Sequence, residues 1–113
     1  MDKLFYRIGT ENFQGLWYDN GGVFTGLIHK EFSFCNASQL QMPFEKELIG
    51  YISVADSLEH LYSWFNKVEI VKLQELGFSI LEYLATDYKF YDLYKHNVIN
   101  QNTSILHNKL IIK

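Results

Sequence analysis

The sequence predicts an α+β fold: a single domain over residues 1–113, mainly antiparallel sheet with two tandem central helices. Three observations predict it. Short apolar and aromatic runs, each closed by turn residues, occupy both ends of the chain. Two helical segments with N-terminal capping signals lie between them. Strands and helices do not alternate one by one, as parallel βαβ units would require.

Each element has a local reason. Residues 4–8 are mostly apolar, and Gly9-Thr10 ends them, which predicts a first strand. Leu16-Trp17-Tyr18 and Val23-Phe24-Thr25 flank Asp19-Asn20-Gly21-Gly22. Asn-Gly supplies the positive φ angles of a tight turn, so residues 16–25 read as a β-hairpin. Phe32-Ser33-Phe34-Cys35 alternates like a short strand, and residues 38–47, around Pro43, read as a loop. Residues 50–54 are strand-like by composition. Asp56 then offers an N-cap, with Glu59 three residues on, and Leu58, Leu61, Tyr62 and Phe65 recur at helical spacing. Asn66 and Glu69 repeat the capping signal ahead of Ile70, Leu73 and Leu76, and Gly77 suits the stop. Two helices are expected, over 57–65 and 67–76. Residues 78–85 return to a strand pattern, residues 87–94 are aromatic and ambiguous, Val98-Ile99 is a short apolar pair, and residues 110–112 suit a terminal strand.

Composition narrows the class of protein. A chain of 113 residues buries somewhat over about 60% of its extended surface on folding, enough for a core without metal or disulfide staples. With 17% aromatic and 20% charged residues, it is not a disordered chain. No apolar run approaches the roughly 20 residues of a membrane helix. The first residues show no signal peptide. One cysteine, Cys35, permits no internal disulfide, which fits a cytoplasmic setting and a buried small side chain.

Charge speaks to partners. The net charge is −3, and residues 45–82 hold seven acids against three lysines. Such a chain lacks the basic stripe that grips a phosphate backbone, so direct nucleic-acid binding is not expected. An acidic face suits solvent or a basic protein partner.

The candidate sites are few. His29, His60, His96 and His107 are not spaced as a zinc motif, and no Gly-rich phosphate loop or nucleophile elbow is present. No metal and, by the residues alone, no cofactor is expected. His60, a helical turn from Asp56 and Trp64, reads as a surface histidine. Arg7 is the one arginine beside nine lysines, and it sits mid-strand between Tyr6 and Ile8. It reads either as an outward strand residue or as an anion clamp, because guanidinium binds oxyanions bidentately. Ser53 closes another strand just before the first helix, where its hydroxyl bonds a ligand or the local backbone. Tyr88, Tyr91 and Tyr94, with Phe90, form an aromatic cluster beside Lys89 and Lys95. They suit core packing or a protein-binding surface.

Taken together, Phe5-Tyr6-Arg7-Ile8-Gly9-Thr10, Gly15-Leu16-Trp17-Tyr18, Gly50-Tyr51-Ile52-Ser53, Asp56-Ser57-Leu58 and Trp64-Phe65 resemble small bacterial and phage proteins with an ADP-ribosyltransferase-like pattern. The resemblance spans about residues 4–100. It implies a first strand whose Arg7 meets the phosphate or ribose side of NAD. It also implies a second strand whose Ser53 and Tyr51 meet the nicotinamide ribose. The glutamate that the family carries on its last strand is missing: Asn97 stands there, and an amide has no charge with which to stabilise a cationic sugar.

Two functions are therefore expected. The first is an accessory protein of a phage or mobile element that binds and inhibits a host protein, such as a defence nuclease. It follows from the size, the acidic character, the tyrosines and the incomplete catalytic set. The alternative is an NAD-dependent ADP-ribosyltransferase, or a binder of an NAD derivative, that uses Arg7, Tyr51 and Ser53.

Overall fold

The computed structural model describes residues 2–10, 16, 30, 51–91 and 96–112. The hairpin expected over 16–25 (Leu16 aside), the strand over 32–35, the loop over 38–47 and Cys35, His29 and Tyr94 lie outside the described residues. Six strands and two helices are described: β1 Lys3–Gly9, β2 Tyr51–Val54, α1 Leu58–Trp64, α2 Lys67–Glu75, β3 Ser79–Ala85, β4 Tyr88–Tyr91, β5 His96–Asn100 and β6 Ile105–Leu110. This is the α+β class read from the sequence, with two antiparallel three-stranded sheets ordered β1-β3-β6 and β2-β5-β4.

Among the described residues, one backbone bridge joins the two sheets. Tyr6 and Ala55 exchange backbone hydrogen bonds of 2.8 and 2.7 Å, an antiparallel bridge that joins the end of β2 to the middle of β1. Chain direction changes sharply here, because Ala55 leads within three residues into α1. The first sheet then lies between two cores. On one face, Ile8 and Ile80 meet Leu61, Phe65, Ile70, Leu73 and Phe78 from the helical side. On the other, Phe5, Leu81, Tyr83 and Ala85 meet Ile52, Val54 and Ile99 of the second sheet. Strand β3 is covered on both faces, which explains its nearly continuous apolar run where a one-sided strand would alternate. Each fully buried large side chain here contributes about 1.5–3 kcal/mol of apolar transfer.

The helices begin and end for local reasons. α2 opens on a true capping box: Asn66 Oδ1 accepts from the Glu69 N–H, and Glu69 Oε1 accepts from the Asn66 N–H, both at 2.9 Å. α1 differs from expectation. Its N-cap is Ser57, whose Oγ accepts from the His60 N–H at 3.0 Å. Asp56 instead engages the His60 ring at 3.2 Å, one turn along. The hydroxyl is one residue nearer the first turn, and the carboxylate is left to pair with the side chain. After α2 the chain reverses at Gly77, whose φ of +99° favours glycine.

The last strand is also earlier than expected, at residues 105–110 instead of 110–112. β6 is an edge strand exposed along nearly its whole length, so burial imprints no alternation on its sequence. Its edge is blunted. A register shift against Glu82/Tyr83 bends it, it carries His107 and Lys109, and the Asn108 side chain accepts from the Lys109 N–H at 2.9 Å. Beyond it, Gln74 of α2 clasps Ile112. Its Nε2 donates to the Ile112 carbonyl and its Oε1 accepts from the Ile112 N–H, both at 2.8 Å.

Candidate functional site

Antiparallel partners share a face, and successive residues of a strand alternate. On β1, Phe5 and Arg7 therefore point the same way, toward the core between the two sheets. Arg7 lies opposite Leu81, with Tyr83 diagonal to it on that face. The strand reading of Arg7 as an outward residue does not describe this position. Arg7 is half-buried as a residue, but its Nε and Nη1 are fully buried and, among the described residues, have no hydrogen-bond partner. Burial pushes the guanidinium pKa below its ordinary value, and the electrostatic influence of Tyr83 acts the other way. A buried charge normally sits beside a carboxylate, because desolvating an unpaired ion costs several kcal/mol. Among the described residues, no acidic side chain pairs with Arg7.

Tyr51 and Ser53 are elsewhere. Ile52 and Val54 face the inter-sheet core, so Tyr51 and Ser53, which alternate with them, face away from it. The structure thus separates Arg7 from the Tyr51–Ser53 pair by the thickness of the sheet. Tyr51 is engaged in a local network. Its hydroxyl donates to Asp87 Oδ2 at 2.7 Å, and Asn100 Nδ2 donates to the same oxygen at 3.0 Å. Lys89 Nζ lies 4.7 Å from the centre of the Tyr51 ring. These bonds tie β2 to the β3–β4 turn and the end of β5. They hold the Asp87 carboxyl below the usual carboxylate pKa and raise that of Tyr51.

The aromatic cluster divides similarly. Tyr88 is half-buried and packs on Phe5, ring centres 5.0 Å apart at 55°. Phe90, two residues on, is 56% exposed. Tyr91 lies at the end of β4, and Tyr94 is outside the described residues. Asn97, noted for standing in place of a glutamate, is buried on β5 opposite Val54. It therefore shares the inward face with Ile99, the face that Arg7 looks onto.

A further polar group on the helical side of the first sheet escaped the sequence. Tyr6 lies directly across from Glu82 and hydrogen-bonds to it, and His107 Nε2 is 3.8 Å from Glu82 Oε1. Burial, and then Glu82, raise the pKa of Tyr6. No spacing rule links positions 6, 82 and 107; only the strand order and the irregular register of β6 bring them together. His60 keeps its place as a helix-surface histidine, paired with Asp56 and edge-on to Trp64 at 4.6 Å.

Among the described residues, no group of three or more His, Cys, Asp or Glu side chains is arranged to hold a metal ion, and no helix is long and apolar enough to cross a membrane. No protein-family model, no curated protein and no solved structure matches the chain.

Proposed function

We propose that this protein binds an anionic ligand at Arg7, of the phosphate-bearing class to which NAD derivatives belong, and does not transfer ADP-ribose. One observation carries the reading: a guanidinium with two buried nitrogens that meet no acceptor among the described residues. A ligand oxyanion supplies the missing acceptor. Each hydrogen bond to a charged group is worth about 1.5–3 kcal/mol, more inside a protein than in water. Transfer chemistry is disfavoured by the same geometry. Asn97 offers no carboxylate, and Tyr51 and Ser53 face away from Arg7, so the groups that would grip and activate a nicotinamide ribose do not converge.

The test is calorimetric titration of the wild type and of Arg7→Met with ADP-ribose, NAD and inorganic phosphate. Binding by the wild type that is lost in the variant supports the reading. No binding in the wild type, or equal binding in both, overturns it. A second reading, an inhibitor of a host protein, is favoured by exposed Phe90 on edge strand β4, since aromatic side chains of this kind anchor protein interfaces. Under that reading the Arg7 variant keeps its inhibitory activity and Phe90→Ser loses it.

A further inference from the structure

The chain just after β6 is held by a side chain where a neighbouring strand would otherwise stand. In an extended chain the N–H and the C=O of one residue point to the same side, and a paired strand meets both. Gln74 does the same for Ile112: its Nε2 donates to the carbonyl and its Oε1 accepts from the N–H, each at 2.8 Å. A carboxamide has one donating and one accepting end, so it matches a main-chain residue; a carboxylate only accepts and would face the carbonyl with a second acceptor. Such a clamp reads main chain whatever side chain the residue carries.

The side chain of Ile112 is read separately. It packs against the core on the helical side of the first sheet, to which α2 contributes Ile70 and Leu73 and the turn beyond it Phe78. Gln74 follows Leu73 in α2, so the clamp and the apolar seat adjoin. The hold is slight. The β6 ladder ends at Leu110, and beyond it, among the described residues, two neutral hydrogen bonds and one half-buried side chain retain the segment. Both elements that meet at the clamp also leave an aliphatic side chain in solvent: Leu76 is 55% exposed and Ile111 54%.

We infer that Gln74 and the seat of Ile112 form a peptide-binding site, closed in this structure by the chain's own strap, residues 111–112. The ligand in trans is an extended peptide segment with an aliphatic side chain at the clamped position, the chemistry that Ile112 itself presents. The inference is independent of the Arg7 reading. The strap competes from within: tethered at Leu110, it is present at a high effective concentration, and a free peptide binds only the fraction of molecules in which it is open. Opening breaks no bond of the ladder, because the ladder stops at Leu110.

The test uses the full chain, with a capped peptide of residues 109–113, Lys-Leu-Ile-Ile-Lys, as the probe. Ile112→Pro opens the strap, since it removes the N–H that Gln74 accepts and the side chain that fills the seat, at a position outside the ladder. Ile112→Gly is a second opened variant that empties the seat alone. Thermal unfolding checks that both are folded, and calorimetry reads binding. Each is expected to bind the probe at least tenfold more tightly than the wild type. Adding Gln74→Glu to either, which keeps the acceptor and loses the donor, is expected to weaken binding about tenfold. A probe carrying Ile112→Asp is expected not to bind, because its charge does not enter an apolar seat. If neither opened variant binds the probe more tightly than the wild type does, or if Gln74→Glu leaves binding unchanged, the site is overturned.

Discussion

Arg7→Met in the absence of ligand offers a direct measure of what the unpaired guanidinium does to the fold. A residue kept for binding should be a burden on stability, whereas one kept for structure should be an asset. Replacing buried ionic groups by apolar groups of similar volume is often neutral or stabilising by about 1–4 kcal/mol. Arg7 is half-buried, and only Nε and Nη1 are sealed from solvent without a partner among the described residues, so the lower part of that range applies: a gain of about 1–2 kcal/mol. The methionine keeps the apolar stem against Phe5 and Leu81 and removes the desolvated charge. With about 2.1 cal/mol/K of unfolding entropy per residue, a chain of this length gains roughly 4 °C per kcal/mol, so the midpoint should rise by about 4–8 °C. The assay is thermal and urea unfolding in a buffer free of phosphate and sulfate, with Arg7→Lys as the control that keeps the charge and should show no such gain. Saturating phosphate should then stabilise the wild type selectively, by about 2.7 kcal/mol at a hundred times its dissociation constant. An Arg7→Met variant that is less stable than the wild type by 1 kcal/mol or more would refute the reasoning, because Arg7 would then be structural.

Three other outcomes are expected. Asn66→Ala removes half of the capping box and should cost about 1 kcal/mol in urea unfolding, because the Glu69 N–H loses its side-chain acceptor while the Glu69 carboxylate still accepts from the backbone N–H of residue 66. Gln74→Ala releases both hydrogen bonds to Ile112, and hydrogen exchange should show the Ile112 amide losing protection while the β3 amides keep theirs. The Asp87 pKa is depressed in the fold, so its contribution is present above the unfolded value near about pH 4 and is lost as pH falls through the lower folded value. The Tyr51 and Tyr6 pKa values are raised, so their contributions are full below about pH 10 and are lost as pH rises beyond it. A pH series of urea midpoints checks both limbs, and Asp87→Asn should flatten the acid one.

The parts of this fold that are written locally were legible in the sequence. The helices are the best case: Asn66, Glu69 and Gly77 mark their ends by backbone chemistry that acts over three or four residues, and the bounds fall within a residue or two of expectation. The exchange of Asp56 for Ser57 as N-cap shows the limit of that rule, since two adjacent polar side chains compete and the tertiary pairing with His60 decides. β6 was displaced because an exposed edge strand carries no burial pattern to read. The site was half legible. Arg7 stood out by its type and position, but which way it points depends on Ile52 and Val54, more than forty residues distant. The one backbone bridge that joins the two sheets among the described residues links positions 6 and 55, which no local rule relates. Tyr6, Glu82 and His107 were invisible for the same reason.

The pairing of β1 has a kinetic consequence. From Gly9 with Ser79 to Lys3 with Ala85, its partners on β3 lie 70 to 82 residues away along the chain, and its bridge to Ala55 spans nearly fifty. Each such contact closes a long loop before it gains anything in return. The β4–β5 hairpin and the two helices close only short ones. β1 cannot complete its ladder with β3 until the chain out to Ser79–Ala85 has been gathered beside it. Folds dominated by such distant strand pairs form on the millisecond-to-second scale, and β1 contributes side chains to both cores. The strand that carries Arg7 is thus held by the most sequence-distant pairings among the described residues.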